Sequence, residues 1–322
     1  MRLFALHGSH HLGAAVASEI DVELDGLEER EFPDGEHKSR PLVSVRGEDV
    51  YVLHTLHGAD GRSAADRLLR LLFFIATCRE NGAARITAVV PYLAFMRKDQ
   101  QTKPRDPVTS RYVAQLFEAV GTDMVATVDV HNVAAFQNAF RRGSTLLTMQ
   151  PAFIAKIGEL AGDGRVVILS PDSGGMRRAH LLHEAYAEAT GRSAGLAMME
   201  KHRSEGVVTG ELFAGDVEEA EVFIFDDMIA SGATMVRAAR ACRQRGARHV
   251  HAVATHALLT TASEALFAPE IDTVVVSDSV PLSFELGAFG KLGVVSCAPP
   301  VADAIQRLHS GGSIHPPLNP SP

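Results

Sequence analysis

At 322 residues the chain exceeds the roughly 100–200 residues of one comfortable core, so two domains are the expectation. Its formal net charge of −8 disfavours a broad surface for nucleic-acid phosphates or anionic lipid, so any phosphate must be met by local cations and backbone N–H groups. Three cysteines, Cys78, Cys242 and Cys297, show neither CxxC pairing nor ligand spacing, and no apolar run approaches the ~20 residues of a membrane span. A soluble protein of the reducing cytoplasm is expected.

In chain order, short apolar or β-branched runs alternate with helix-period segments, the pattern of βαβ units and parallel sheets. The opening MRLFALHGSHHLG lacks the long apolar stretch of a signal peptide, and RLFAL near Leu3 reads as a first strand. DVYVLHTL over 49–56, ITAVVPYL over 86–93 and DMVATVDVH over 123–131 read as further strands, with amphipathic helices expected over 64–80 and 108–120. The second half repeats the plan. VVILSP over 166–171, GLAMME over 195–200, VFIFDD over 222–227 and HVHAVATHALL over 249–259 read as strands, with helices over 175–190 and 233–245. These spacings predict two α/β domains with parallel sheets, 1–145 and 146–298, facing one another across a cleft. A last helix near 299–309 is expected to pack on the first domain, and the Gly- and Pro-rich tail 310–322 to be disordered.

Ligands of open parallel sheets collect at the carboxyl ends of strands. VFIFDDMIASGATM places Asp226 and Asp227 where a buried strand is expected to surface, followed by Ala230, Ser231, Gly232, Ala233 and Thr234, which lead into a helix. Small side chains let a ligand approach the backbone, and the N–H groups and dipole of a helix N-terminus favour a phosphate. Two carboxylates beside such an anion hole suit the hydroxyls of a sugar phosphate, whereas a plain helix cap after an acidic loop is the structural alternative. His131 and Asp172 each follow an expected strand. By default the first is a packed histidine and the second an N-cap carboxylate, although together they could share one ion. Lys201 and Arg203 fall in a polar stretch read as a loop, where charges are most often only solvated.

The Asp226–Thr234 stretch resembles the phosphoribosyl-diphosphate loop of type I phosphoribosyltransferases and of ribose-phosphate diphosphokinases, also called PRPP synthetases. Other stretches resemble the second family in order along nearly the whole chain: EFPDGEHKSR, PYLAFMRKDQQTKPRDPVTSRYVAQL, DVH, PDSGGMRRA and MEKHRSEG. The chain is thereby similar to a divergent diphosphokinase with two Rossmann-like, type I phosphoribosyltransferase-like domains. The resemblance implies ATP contacts at Phe32, Asp34, Gly35, Glu36, Arg97 and Lys98, Mg²⁺ at His131 and Asp172, and catalytic cations at Lys201 and Arg203. It further implies that Ser231–Thr234 hold the phosphate of ribose 5-phosphate, and Asp226 and Asp227 its ribose hydroxyls. In the family the F-[SP]-D-G-E segment reaches a neighbouring subunit, so a homo-oligomer, a dimer or hexamer, is implied.

Several departures accompany this resemblance, among them Gln100 and Gln101 in place of a basic pair and, after His131, NVAAFQNAF with a Gln and a Phe out of register. Ala230 stands where the family has an aspartate or polar substitute, SGAT replaces the commoner T-x-G-T, and Lys98 replaces a glutamine. A non-catalytic PRPP-synthetase-like subunit would explain the departures, and a phosphoribosyltransferase would explain the loop alone. Retention of Lys201, Arg203, His131 and Asp172 favours the active enzyme, which joins ATP and ribose 5-phosphate into 5-phosphoribosyl diphosphate and AMP.

Overall fold

The structure, a computed structural model, describes residues 1–314 other than 60, 205–206, 260–262, 264–265 and 283–289; the side chains of 201–211 also lie outside the described residues. From 315 on, the expected disordered tail lies outside them too. The chain divides into two compact units, one of Met1–Thr148 with the C-terminal segment from Cys297, the other of Met149–Ser296.

The first unit carries strands β1 (Arg2–Ala5), β4 (Asp49–Leu53), β5 (Arg85–Val90), β6 (Met124–Val128) and β7 (Gly143–Leu147) in one sheet of order β1-β4-β5-β6-β7, parallel throughout. Helices α1 (His10–Glu19), α2 (Ala64–Glu80), α3 (Thr109–Ala119) and α4 (Val133–Ala139) link them, and a hairpin of β2 (Leu27–Glu31) and β3 (His37–Pro41) interrupts the first crossover. Helix α2 shows why such segments fold. Its Ser63 side chain accepts from Asp66 N–H at the N-cap, and its inward face buries Leu68, Leu71, Leu72, Phe74, Ile75 and Cys78. Each fully buried large apolar side chain contributes about 1.5–3 kcal/mol. The polar strands LEERE and HKSRP carry no alternating apolar signal, and the hairpin depends on packing against α2, where His37 stacks on Phe73 at 5.5 Å.

The second unit begins with α5 (Gln150–Ala161) and contains β8 (Val166–Ser170), α6 (Met176–Thr190), β9 (Gly195–Ser204), β10 (Val207–Ala214), β11 (Glu221–Ile229), α7 (Ala233–Gln244), β12 (His249–Ala257), β13 (Thr273–Ser277) and β14 (Leu292–Val295). Its sheet has the order β10-β9-β8-β11-β12-β13-β14, parallel except for β10 against β9. A core of Val167, Leu169, Val222, Ile224, Val250 and Ala252 lies on this sheet, every residue of which is buried. The terminal helix α8 (Ala298–Ser310) returns to the first unit and packs on α1.

Two expectations are corrected. The stretch with Lys201 and Arg203 is not a loop. Strand β9 continues to Ser204 and pairs with β10, Lys201 opposite Glu211 and Arg203 opposite Val208. Charged side chains hid the strand; the returning arm supplies its pairing, Val207 opposite Ser204 and Val208 opposite Arg203, with a register shift before Gly210. Nor does β11 end at Asp227. It runs on to Ile229 because β12 continues beside it, with Asp226 opposite Ala254 and Met228 opposite His256, whereas β8 pairs only as far as Ile224. The two aspartates therefore stand on a strand that outreaches one neighbour.

Candidate active site

In the second unit the chain winds from β8 outward to β9, then crosses back to place β11 on the other side of β8. This reversal makes the carboxyl ends of β8 and β11 the switch point of the sheet, the place where doubly wound sheets bind ligands. Three sequence-singled groups sit there. After β8, Ser170 Oγ donates to the Asp172 carbonyl at 2.7 Å, and Asp172 Oδ1 accepts from Gly175 N–H at 2.9 Å. A Cβ on Gly175 would lie 2.9 Å from Ser170 Oγ, so a side chain there would displace that hydroxyl from its bond to the Asp172 carbonyl. Asp172 is therefore not the N-cap of α6, a place Gly175 takes without a side-chain cap bond; its carboxylate instead holds the turn by accepting from Gly175 N–H.

From α6, Arg178 reaches across to β11. Its Nη1 donates to Asp226 Oδ1 at 2.6 Å and its Nη2 lies 3.2 Å from Asp227 Oδ1. Asp226 Oδ1 also accepts the Asp227 N–H at 2.8 Å. Burial, and then the neighbouring Asp227 charge, raise the Asp226 carboxyl above its usual range, while Arg178 opposes the shift. Arg178 was not singled out as a site residue, although it is the arginine of PDSGGMRRA; that motif position was the available signal.

Beyond Ile229 the chain turns through Ala230 and Ser231 into α7, whose N-cap Gly232 is left-handed, φ 74°. The left-handed residue coincides with the displaced glycine of SGAT. Two groups from the segment after β12 brace this turn: Ser263 Oγ donates to the Ala230 carbonyl at 2.5 Å, and Leu266 fills the space where a Gly232 Cβ would be, 2.4 Å from its Cγ. Ala233 N–H faces Ser231 Oγ at 3.5 Å, and the first-turn N–H groups of α7, with Thr234 among these residues, have no acceptor within the helix itself. Neither Ser263 nor Leu266 carried a legible sequence signal.

The first unit holds the remaining groups at its own strand ends. Arg97 is exposed in the loop after β5, and the neighbouring Lys98 Nζ donates to Asp106 at 2.5 Å and to Thr102 Oγ1 at 2.8 Å. After β6 come Asp129, left-handed at φ 38°, and exposed His131, followed by Asn132, whose side chain caps α4 by accepting from Ala135 N–H. Phe32, Asp34, Gly35 and Glu36 form the exposed turn of the β2–β3 hairpin, where Asp34 Oδ1 accepts Glu36 N–H at 3.2 Å and Arg30 lies over the Phe32 ring at 5.3 Å. The side chains of Lys201 and Arg203 lie outside the described residues.

Among the described residues, no three His, Cys, Asp or Glu side chains converge as a metal cage. Taken singly, the exposed His131 imidazole and the Asp172 carboxylate, one oxygen of which accepts from Gly175 N–H, are each donors of the kind that suit an ion keeping waters and substrate oxygens, the habit of Mg²⁺. No helix among the described residues is long and apolar enough to cross a membrane.

An acidic pair on a strand, a left-handed glycine and a helix N-terminus at the switch point of its sheet mark the second unit of this α/β protein with two parallel-sheet units. Residues 1–121 match the N-terminal domain of ribose phosphate pyrophosphokinase, and residues 198–316 match the phosphoribosyl synthetase-associated domain. Curated ribose-phosphate pyrophosphokinases are similar end to end. That of Haemophilus ducreyi is 32% identical over 98% of this chain and 97% of its own, and that of Vibrio parahaemolyticus 33% identical over 98% of each. The crystal structure of phosphoribosylpyrophosphate synthetase from Mycobacterium smegmatis is 32% identical, covers 97% of this chain and 99% of its own, and superposes with a TM-score of 0.87. The chain belongs to the ribose-phosphate pyrophosphokinase family.

Proposed function

We propose that this chain is an active ribose-phosphate diphosphokinase, transferring the diphosphoryl group of ATP to ribose 5-phosphate. The observation that carries the reading is the second unit's site: Arg178 holding Asp226 and Asp227 beside the Gly232-capped start of α7, within a chain similar from end to end to ribose-phosphate pyrophosphokinases. Ser231, Gly232, Ala233 and Thr234 take the 5-phosphate through N–H and hydroxyl donors, and Asp226 and Asp227 take the ribose hydroxyls. Phe32, Asp34, Gly35 and Glu36 of the hairpin turn, with Arg97, serve ATP, and the family pattern adds the neighbouring Lys98, whose ammonium Asp106 and Thr102 hold within the loop.

The C1 hydroxyl attacks the β-phosphorus. The new C1–O–Pβ bond forms as the bond between the β-phosphorus and the α-phosphate oxygen breaks, AMP leaves, and the hydroxyl proton is released. Lys201, Arg203 and Arg97 stabilise charge developing on the phosphate oxygens, so the rate comes from positioning and electrostatics. His131 and Asp172 are the residues that would hold Mg²⁺, which when bound neutralises phosphate charge. The family pattern also supports a homo-oligomer, a dimer or hexamer, and a cytoplasmic setting.

The test is AMP formation by the purified chain from ATP and Mg²⁺, with and without ribose 5-phosphate. Ribose 5-phosphate-dependent AMP is expected. Ribose 5-phosphate binding without any AMP would favour instead a non-catalytic subunit of the same family, the reading to which Ala230 and Lys98 lend weight.

A further inference from the structure

The loop between β5 and α3 is held in a costly conformation. Phe95 at its entry and Arg105 near its exit are both left-handed without being glycine, φ 67° and 70°. Such residues persist only where the surroundings impose them, and they concentrate at functional sites. Within the loop one carboxylate gathers four donors. Asp106 Oδ2 accepts from Lys98 Nζ at 2.5 Å, Thr102 Oγ1 at 2.8 Å, Lys103 N–H at 3.0 Å and Thr102 N–H at 3.2 Å. Lys98 completes the ring by donating to Thr102 Oγ1. Thr109 Oγ1 donates to the Phe95 carbonyl at 2.9 Å, and Asn132 Nδ2 donates to Asp99 Oδ2 at 2.5 Å, which ties the loop to the residue after His131.

We infer that Asp106, acting through Lys98, is a positioning residue that fixes the Arg97 loop for nucleotide phosphate binding, and that Lys98 is a strut of this loop. The inference rests on the proposed ATP contact of Arg97. A lysine whose ammonium is held inside its own loop differs from a lysine offered to phosphate. The Lys98 and Thr102 hydrogen bonds hold the Asp106 carboxyl down at about 2, so the clasp stays charged throughout the neutral range.

Four variants test this: Asp106→Ala, Asp106→Asn, Lys98→Gln and the double Lys98→Gln/Asp106→Asn, with affinity for ATP–Mg²⁺ and for ribose 5-phosphate measured by calorimetry. Each single change is expected to weaken ATP about threefold to tenfold and leave ribose 5-phosphate unchanged. The double variant should lose no more than the worse single one, since the two residues act as a unit. Tryptic cleavage after Arg105 should quicken in Lys98→Gln, which leaves the residues of the cleaved bond unaltered. Unchanged ATP affinity in a variant whose cleavage has quickened would reduce the clasp to a structural feature, and a double loss equal to the product of the singles would separate the two residues; either overturns the inference. Absence of ATP binding to the unmutated protein overturns it also. ATP binding that depends on the clasp, without AMP formation, would refute the diphosphokinase reading and leave this inference standing.

Discussion

Arg178 Nη2 and Asp227 Oδ1 lie 3.2 Å apart in an ion pair whose carboxylate is only 2% exposed, while Nη1 of the same guanidinium holds Asp226. One cation thus serves two adjacent, desolvated carboxylates. Removing it leaves their mutual repulsion unopposed, and breaking a buried pair costs about 3–5 kcal/mol. Arg178→Ala is therefore expected to lower stability on that order, more at pH 8 than at pH 5 because acid lets one carboxylate discharge. Urea unfolding at the two pH values checks this, and an unchanged midpoint at pH 8 would remove Arg178 from the account.

The second prediction concerns the Asp226 carboxyl alone. Burial and Asp227 raise it, so the folded protein keeps a proton that the unfolded chain releases at about pH 4. The stability linked to that proton is fully present below the unfolded value and is lost as pH rises through the raised one. Asp226→Asn cannot ionise and should flatten this slope, gaining stability relative to the parent as pH increases. Parallel stability–pH curves for the two proteins would contradict the assignment.

Gly232 carries the third. Its φ of 74° disfavours any Cβ by about 1–2 kcal/mol, and the added carbon would lie 2.4 Å from Leu266 Cγ. Gly232→Ala should destabilise the protein by more than the backbone term alone and raise KM for ribose 5-phosphate. In a Leu266→Ala background the same change should cost only the backbone term, which differential unfolding of the four proteins measures.

How much of this was legible in the sequence follows the range of the interaction concerned. Helix α2 is bounded where the apolar period puts it, because that signal is local, and the Ser63 cap of the structure fixes the same start. Strand β8 is equally plain, an apolar run buried on both faces. The polar β2–β3 hairpin and the charged end of β9 were not, since partner strands and packing create them. The carboxylates and the glycine turn could be found as a motif. Arg178 could not be given its role, because its partners Asp226 and Asp227 lie 48 and 49 residues away and meet it only once β8 and β11 become neighbours. The bond from Ser263 to Ala230, across 33 residues, was hidden for the same reason.

Lys201 provides a fourth prediction, which follows from its proposed role in the transition state. Lys201→Ala is expected to reduce kcat by about 100-fold or more while the KM values for ATP and ribose 5-phosphate change little, the pattern of an interaction made only as charge develops. Steady-state kinetics decide it, and near-normal turnover would exclude the residue.

The last prediction tests the departure at Ala230. If the 5-phosphate is anchored by the α7 N-terminus and the hydroxyls are met only by Asp226 and Asp227, the missing polar side chain should weaken the sugar's grip without moving the phosphate. A charge-assisted hydrogen bond is worth roughly 1.5–3 kcal/mol, or about one to two decades in affinity. The Ala230 carbonyl is already fixed by Ser263, so a carboxylate added at Ala230 would be presented from a braced backbone. Ala230→Asp should therefore lower KM for ribose 5-phosphate, with kcat little altered. The opposite result is just as informative. With the left-handed residue at Gly232, two positions after Ala230, a new carboxylate aimed at the phosphate would repel it and raise KM. Calorimetry with ribose 5-phosphate, ribose and inorganic phosphate separates the cases: tighter ribose binding marks recovery of a hydroxyl contact, whereas weaker phosphate binding marks a turn whose Ala230 side faces the anion and would refute this placement of the sugar.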